Sequence, residues 1–151
     1  MDAIDRRIIA ALQRDGRQRL ADLSAAAGLS PTPCARRVAR LESAGVITGY
    51  SARVDQEKLG LPLNVFIFVE LERQSRDAVA RFETALRGFE EVMECYLMTG
   101  TRDVLIRVVA ADLAAYDRFL EDGLMQIAGI RSMRSSFALR TMIRRTALPG
   151  G

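Results

Sequence analysis

"GLSPTPCARRVARLE", residues 28–42, holds two prolines, one cysteine and three arginines. Prolines usually end helices. Here Ser30 is a good N-cap, and Pro31 and Pro33 fall in the first turn, where a missing N–H has no helical acceptor. The stretch therefore predicts a helix over 31–43 with a stiffened entry. At about 100° per residue, Cys34, Val38 and Leu41 share one side. Thr32, Arg36, Arg40 and Ser43 lie on the other, and Arg37 stands at the edge of the buried stripe. The outward face is short, polar and cationic.

Working outward, Ile4, Ile8 and Leu12, widened by Ile9 and Ala11, predict a helix over 2–15 that Gly16 can end in the left-handed conformation. Leu20, Leu23 and Ala27 predict a second over 20–27, stopped by Gly28. "DGRQR" and "GLS" join the three helices tightly. "GVITGYSARV" (45–54) reads as two short strands and a turn. "DQEKLGLPL" (55–63) is polar, with Gly60 and Pro62, and reads as a hinge. A first domain at 1–55, a hinge at 56–62 and a second domain at 63–151 follow.

The second part changes period. "LNVFIFVELE" (63–72) alternates as a strand, with Val65, Ile67, Val69 and Leu71 on one face and Phe66 and Phe68 on the other. A helix over 76–87 follows, then strands in "EVMECYLMT" and "DVLIRVVA" around "TGTR". A helix through "DLAAYDRFLEDGLMQI" (112–127) with a stripe of Leu113, Tyr116, Leu120 and Leu124, and a last strand in "RSMRSSFALR", complete the order. This β-α-β-β-α-β order is a ferredoxin-like α+β sandwich. Its helix-free face carries Phe66 and Phe68, and a second copy related by two-fold symmetry is the simplest cover.

Composition narrows the function. The chain has no histidine and two cysteines, Cys34 and Cys95, which excludes histidine-based triads and a Cys/His zinc site within one chain. We expect no catalytic residues, no metal and no cofactor. No apolar run approaches the roughly 20 residues of a membrane span, and the N-terminus lacks a signal-peptide order, so a cytoplasmic location is expected. Residues 1–60 carry ten basic and seven acidic side chains, whereas residues 61–151 carry twelve of each. The positive excess sits with the three helices, as a nucleic-acid-facing module requires. A third helix with a cationic outer face suits the DNA major groove, where arginine contacts guanine or phosphate and threonine contacts either.

In "MTGTRD" (98–103), a turn glycine lets backbone N–H groups face a ligand carboxylate, and Asp103 can accept from an ammonium group. The same residues also read as a plain hairpin, with Asp103 paired to Arg102 or Arg107. Glu90, Glu91 and Glu94 could suggest a glycosidase-like or metal-binding acid cluster, but Glu90 and Glu91 read more simply as a solvated turn before the strand. The five arginines at 131, 134, 140, 144 and 145 read as surface counter-charge or as a second surface for DNA.

"ADLSAAAGLSPTPCARRVARLESAGVITGYSARVD" (21–55) resembles the winged helix-turn-helix of the Lrp/AsnC family of regulators. "GLSPTPC", "RVARLE" and "GVITGY" carry the resemblance, and "ECYLMTGTRDVLIRV", "SSFALR" and the terminal "TALP" extend it over almost the whole chain. The resemblance implies a DNA-binding regulator that senses an amino acid or related small molecule and forms homodimers that often assemble into octamers. It implies DNA contacts from Thr32, Pro33, Arg36, Arg37 and Arg40. It implies an effector pocket at an interface between sensing domains, lined by Met98, Thr99, Gly100, Thr101, Arg102 and Asp103, with Ser135 and Ser136 on the last strand. Val104 stands where the family often has tyrosine. Two other readings are an effector-independent architectural DNA-binding protein and a small dimeric α+β barrel enzyme.

Overall fold

The computed structural model describes residues 1–100 and 103–149, and the chain divides into two units. The first is Met1–Arg53 together with the segment from Met142; the second is Val54–Thr141.

Three helices build the first unit: α1 (Ala3–Arg14), α2 (Leu20–Ala27) and α3 (Pro31–Ser43). Asp2 caps α1 through a reciprocal box. Its carboxylate accepts from the N–H groups of Ile4 and Asp5, both at 2.9 Å, and its own N–H donates to Asp5 Oδ2 at 3.1 Å. Gly28 ends α2 in the left-handed conformation (φ 71°), as expected. Gly16 does not take that conformation: α1 ends at an extended Asp15 whose N–H donates to Ala11 O. What glycine supplies at 16 is room, because a Cβ there would stand 3.3 Å from the Tyr50 ring. Ser30 occupies the N-cap of α3, but its side chain makes no capping bond. Ile8, Ala11, Leu23, Ala27, Cys34 and Leu41 are buried together and hold the three helices.

The expected strands in 45–54 do not form. The N–H groups of Val46 and Ile47 both turn back to Leu41 O, at 2.9 and 3.1 Å, so the segment spends its donors closing α3 instead of pairing in a ladder. Residues from Met142 onward pack with the first unit. Gln13 anchors them by accepting from the Leu148 N–H and donating to the Leu148 carbonyl.

The second unit runs β1 (Leu63–Leu71), α4 (Arg76–Leu86), β2 (Val92–Leu97), β3 (Val104–Ala110), α5 (Leu113–Arg118) and β4 (Ile130–Phe137). The expected βαββαβ order is thus present, as one antiparallel sheet in the order β2-β3-β1-β4. Alternation in β1 sends Val65, Ile67, Val69 and Leu71 into a core with Ile106, Val108, Phe82, Leu86 and Leu124. The register puts Phe66 opposite Arg107 and Ser136, and Phe68 opposite Leu105 and Arg134, on the other face.

The helix expected over 112–127 stops being regular after Arg118. A π turn (Phe119–Gly123) and a 3-10 turn (Leu124–Gln126) follow. A close contact from outside the helix falls at the same place. Phe89 packs edge-to-face on Phe119, with ring centroids 5.5 Å apart, and presses so close to Gly123 that a Cβ there would lie 2.6 Å from the ring. Leu113, expected in the stripe, is 64% exposed.

Candidate DNA interface and effector turn

The outer face of α3 presents Thr32 and Arg36, both exposed. Arg36 has no hydrogen bond or ion pair among the described residues, so its guanidinium is available. Arg37 and Arg40 are different. Both reach across to the N-terminal turn of α1, where the Asp5 side chain is only 1% exposed. Arg37 Nη1 lies 2.7 Å from Asp2 Oδ2 and 2.8 Å from Asp5 Oδ1. Arg40 Nη2 donates to both Asp5 oxygens, at 2.9 and 2.8 Å. Arg37, expected among the DNA contacts, has Nη1 engaged internally and a side chain only 25% exposed. Arg40 keeps a 60% exposed side chain while one nitrogen is committed to Asp5.

The cluster also sets protonation. Burial works to raise the Asp5 pKa, but bonds from the Asp2 N–H and Arg37, with the charge of Arg40, outweigh it and hold the carboxyl below its ordinary value. The Asp5 N–H and Arg37 together lower Asp2 to about 2. Hydrogen bonds to Asp2 and Asp5 raise Arg37 in turn. A charged, buried Asp5 fixes the roll of α3 against α1, which decides where Thr32 and Arg36 point. Sequence periodicity does not reveal this pairing. Its only trace is an acid at each end of the first turn of α1 and a pair of arginines three apart on α3.

Within the effector turn, Met98, Thr99 and Gly100 are exposed, and Gly100 has φ 119°, where a side chain would strain the backbone. Thr101 and Arg102 lie outside the described residues. Asp103 is 6% exposed and points inward, not towards solvent. The register between β1 and β4 shifts at Glu70/Leu71, and the β1–β3 ladder ends at Val69 and Val104. Asp103 continues it: its N–H donates to Val69 O at 3.1 Å, and its Oδ2 accepts the Leu71 N–H at 2.7 Å. Its Oδ1 accepts from Gln74 at 2.6 Å, and its carbonyl accepts the Met98 N–H at 2.8 Å, which closes the turn. Arg107 does not pair with it. Arg107 bonds Glu94 at 3.0 Å and Asn64 at 3.1 Å.

The two serines of β4 are not brought to the turn within one chain. Ser135 stands opposite Ile67 on the helix side, hydrogen-bonded to the Tyr116 hydroxyl, whereas Ser136 stands opposite Phe66 on the other face. β1 lies between β4 and β3, which puts two strand spacings, about 10 Å, between them. Val104 is buried beside a cavity of about 320 Å³ between α4 and β2, which Phe82, Leu86, Cys95 and Leu97 also line. Among the described residues no group of three acidic or cysteine side chains is placed to hold a metal, and no helix is long and apolar enough to cross a membrane.

A helix-turn-helix with a cationic third helix, joined to a βαββαβ domain with a glycine turn at one sheet end, defines a two-domain transcriptional regulator. Family models agree, with the AsnC-type helix-turn-helix domain over residues 1–42 and the Lrp/AsnC ligand binding domain over residues 64–148. The chain belongs to the Lrp/AsnC family, whose members are transcriptional regulators and not enzymes. It is 46% identical over 149 residues to the Bkd operon transcriptional regulator of Pseudomonas aeruginosa, covering 99% of this chain and 97% of that protein. It is 40% identical over 135 residues to the leucine-responsive regulatory protein of Escherichia coli K12, covering 89% and 82%. A transcriptional regulator of Neisseria meningitidis, solved in complex with L-methionine, superposes with a TM-score of 0.93 at 36% identity, covering 99% and 96%. AsnC of Escherichia coli superposes with 0.88 at 30% identity, covering 97% of each chain.

Proposed function

We propose that this regulator reads DNA in a sequence-specific way through α3 and that an amino acid adjusts its DNA affinity or its assembly. The observation that carries the reading is Arg36, exposed and without a partner among the described residues, on a helix whose other two arginines bond to the start of α1. In this reading Thr32 and Arg36 meet base edges, Pro33 shapes the first turn against the groove, and Arg40 offers its remaining N–H groups to a phosphate. Residues 1–55 read DNA, 56–62 act as the hinge, and 63–151 sense and associate. The protein works where the chromosome is, in the cytoplasm.

Two copies pair through the sheet face that carries Phe66, Phe68 and Leu105, and pairs join into a higher assembly up to an octamer. The effector is an α-amino acid, a class supported by the L-methionine complex of the Neisseria relative and by the name of the leucine-responsive one. It is bound near the turn 98–103, where the N–H groups around Gly100 suit its carboxylate. Asp103 holds the shape of that turn from within. Ser135 and Ser136 join the site only from a neighbouring copy. The effector acts by linkage: whichever assembly binds it better is favoured, and the spacing of paired α3 helices changes.

The test is selection of genomic DNA fragments by the full-length protein, with and without a panel that includes L-methionine and L-leucine. The expected outcome is a shared motif with half-sites about one DNA turn apart, and recovery altered by at least one amino acid. Recovery of fragments with no common motif would refute specific reading. A motif unaffected by every amino acid would favour the architectural protein over the sensor.

A further inference from the structure

We propose that the C-terminal tail is a second, sequence-independent DNA-contacting arm of the first unit, with Arg144 and Arg145 as phosphate ligands. The proposal rests on the DNA-reading role of α3 and extends the surface that role uses.

Charge divides sharply between the units once the tail is counted with the unit it folds on. Met1–Arg53 with the segment from Met142 holds eleven basic and five acidic side chains, against eleven basic and fourteen acidic in Val54–Thr141. Two of those eleven are Arg144 and Arg145. Both are exposed, and neither has an ion pair or hydrogen bond among the described residues. A surface counter-charge would have acids beside it, and among the described residues no ion pair on this tail supplies one.

The tail is held in place at two points. The Gln13 amide pairs with both backbone groups of Leu148, a contact that recognises chain direction, and Arg53 Nη1 donates to Thr146 Oγ1 at 3.3 Å. Thr146, Leu148 and Pro149 form one rim of a groove of about 440 Å³ whose other walls are α1 and residues 46–50. That wall is tied to the reading helix, because the Tyr50 hydroxyl donates to Glu42 Oε1 at 2.8 Å in the last turn of α3. Tyr50 thus ties this wall to α3 at Glu42, and three residues further on Arg53 holds Thr146, next to Arg145. Unpaired arginines on the same unit as the reading helix suit the sugar–phosphate backbone, where contacts add affinity without carrying sequence information. The arm should thus add affinity and salt dependence while leaving sequence preference alone.

The experiment is a salt titration of binding to an operator and to a scrambled duplex, using the full-length protein. Two phosphate contacts contribute a slope of roughly 1.8 in log K against log salt. Raising salt from about 50 to 200 mM should therefore cost Arg144→Ala/Arg145→Ala roughly twelvefold less affinity than it costs the unmodified protein, equally on both duplexes. The pair of Arg→Lys replacements should restore the slope. Gln13→Ala, which keeps the charges and releases the anchor, should lose part of it. Parallel slopes for the double alanine variant would overturn the proposal. So would a wild-type slope for Gln13→Ala beside a flattened one for the double variant, since the arginines would then act without the docked position. Arg36→Ala separates the two readings. If it abolishes discrimination between the duplexes while the tail variants change nothing, only the arm is refuted. If it too changes nothing, the reading role of α3 fails.

Discussion

Replacing Asp5 with alanine should destabilise the first unit and displace α3, although Asp5 is buried and cannot itself meet DNA. Its carboxylate accepts from the Asp2 N–H, from Arg37 and twice from Arg40, and is 1% exposed. Removing one member of a fully buried ion pair costs about 3–5 kcal/mol, because a charge is stranded. The guanidinium groups stranded here are on side chains 25% and 60% exposed, and Arg37 keeps Asp2, so water recovers part of that cost. We expect a loss of about 2–3 kcal/mol, or roughly 10–20 °C in the melting of the helical unit followed by circular dichroism. Asp5→Asn, which keeps the shape, should lie between. The pH dependence carries a sign of its own. Asp2 and Asp5 are both held below the ordinary carboxyl value, so their contribution is fully present above about pH 4 and is lost as pH falls below it through their lowered native values. The gap between the native protein and Asp5→Ala should therefore narrow over that range. A variant within about 0.5 kcal/mol of the native protein, or a gap that does not change with pH, would refute the reasoning and make the cluster a solvated surface pair.

Two further outcomes follow from packing. Asp103→Ala leaves the Leu71 N–H and the Gln74 amide without their acceptor, at a cost of about 1–3 kcal/mol, and should loosen the turn and weaken amino-acid binding more than DNA binding. Isothermal titration beside a mobility-shift assay checks it, and equal losses in both would contradict it. Gly123→Ala sets a methyl 2.6 Å from the Phe89 ring, which Phe119 backs, so overpacking of about 1–3 kcal/mol is expected in a denaturant melt. An unchanged midpoint would show that the ring moves freely.

What was legible in the sequence was local. The prolines of α3, its buried stripe of Cys34, Val38 and Leu41, the left-handed Gly28 and the alternation of β1 each depend on neighbours within a turn or along one strand. What was not legible came from partners far along the chain. The helical wheel put Arg40 outward, which its exposure bears out, but not the reach of its side chain to Asp5, 35 residues earlier. The β-branched residues around Gly45 and Gly49 suit strands, but a strand needs a partner, and the segment closes on Leu41. The even spacing through 112–127 could not show the π turn at Phe119–Gly123, where Phe89 packs from outside the helix. Asp103 beside a turn glycine has the composition of a ligand site, yet its oxygens serve Leu71 and Gln74. The tail gave no periodic signal because side-chain-to-backbone bonds from Gln13 hold it.

The most direct measurement of the central claim is the affinity of Arg36→Ala for a selected operator at fixed salt, with the oligomer checked by gel filtration. Arg36 has no internal role, so the fold should be unaffected, while operator affinity should drop by about 1–3 kcal/mol and affinity for scrambled DNA should change little. Operator affinity equal to that of the unmodified protein would contradict the assignment of α3 as the element that reads DNA.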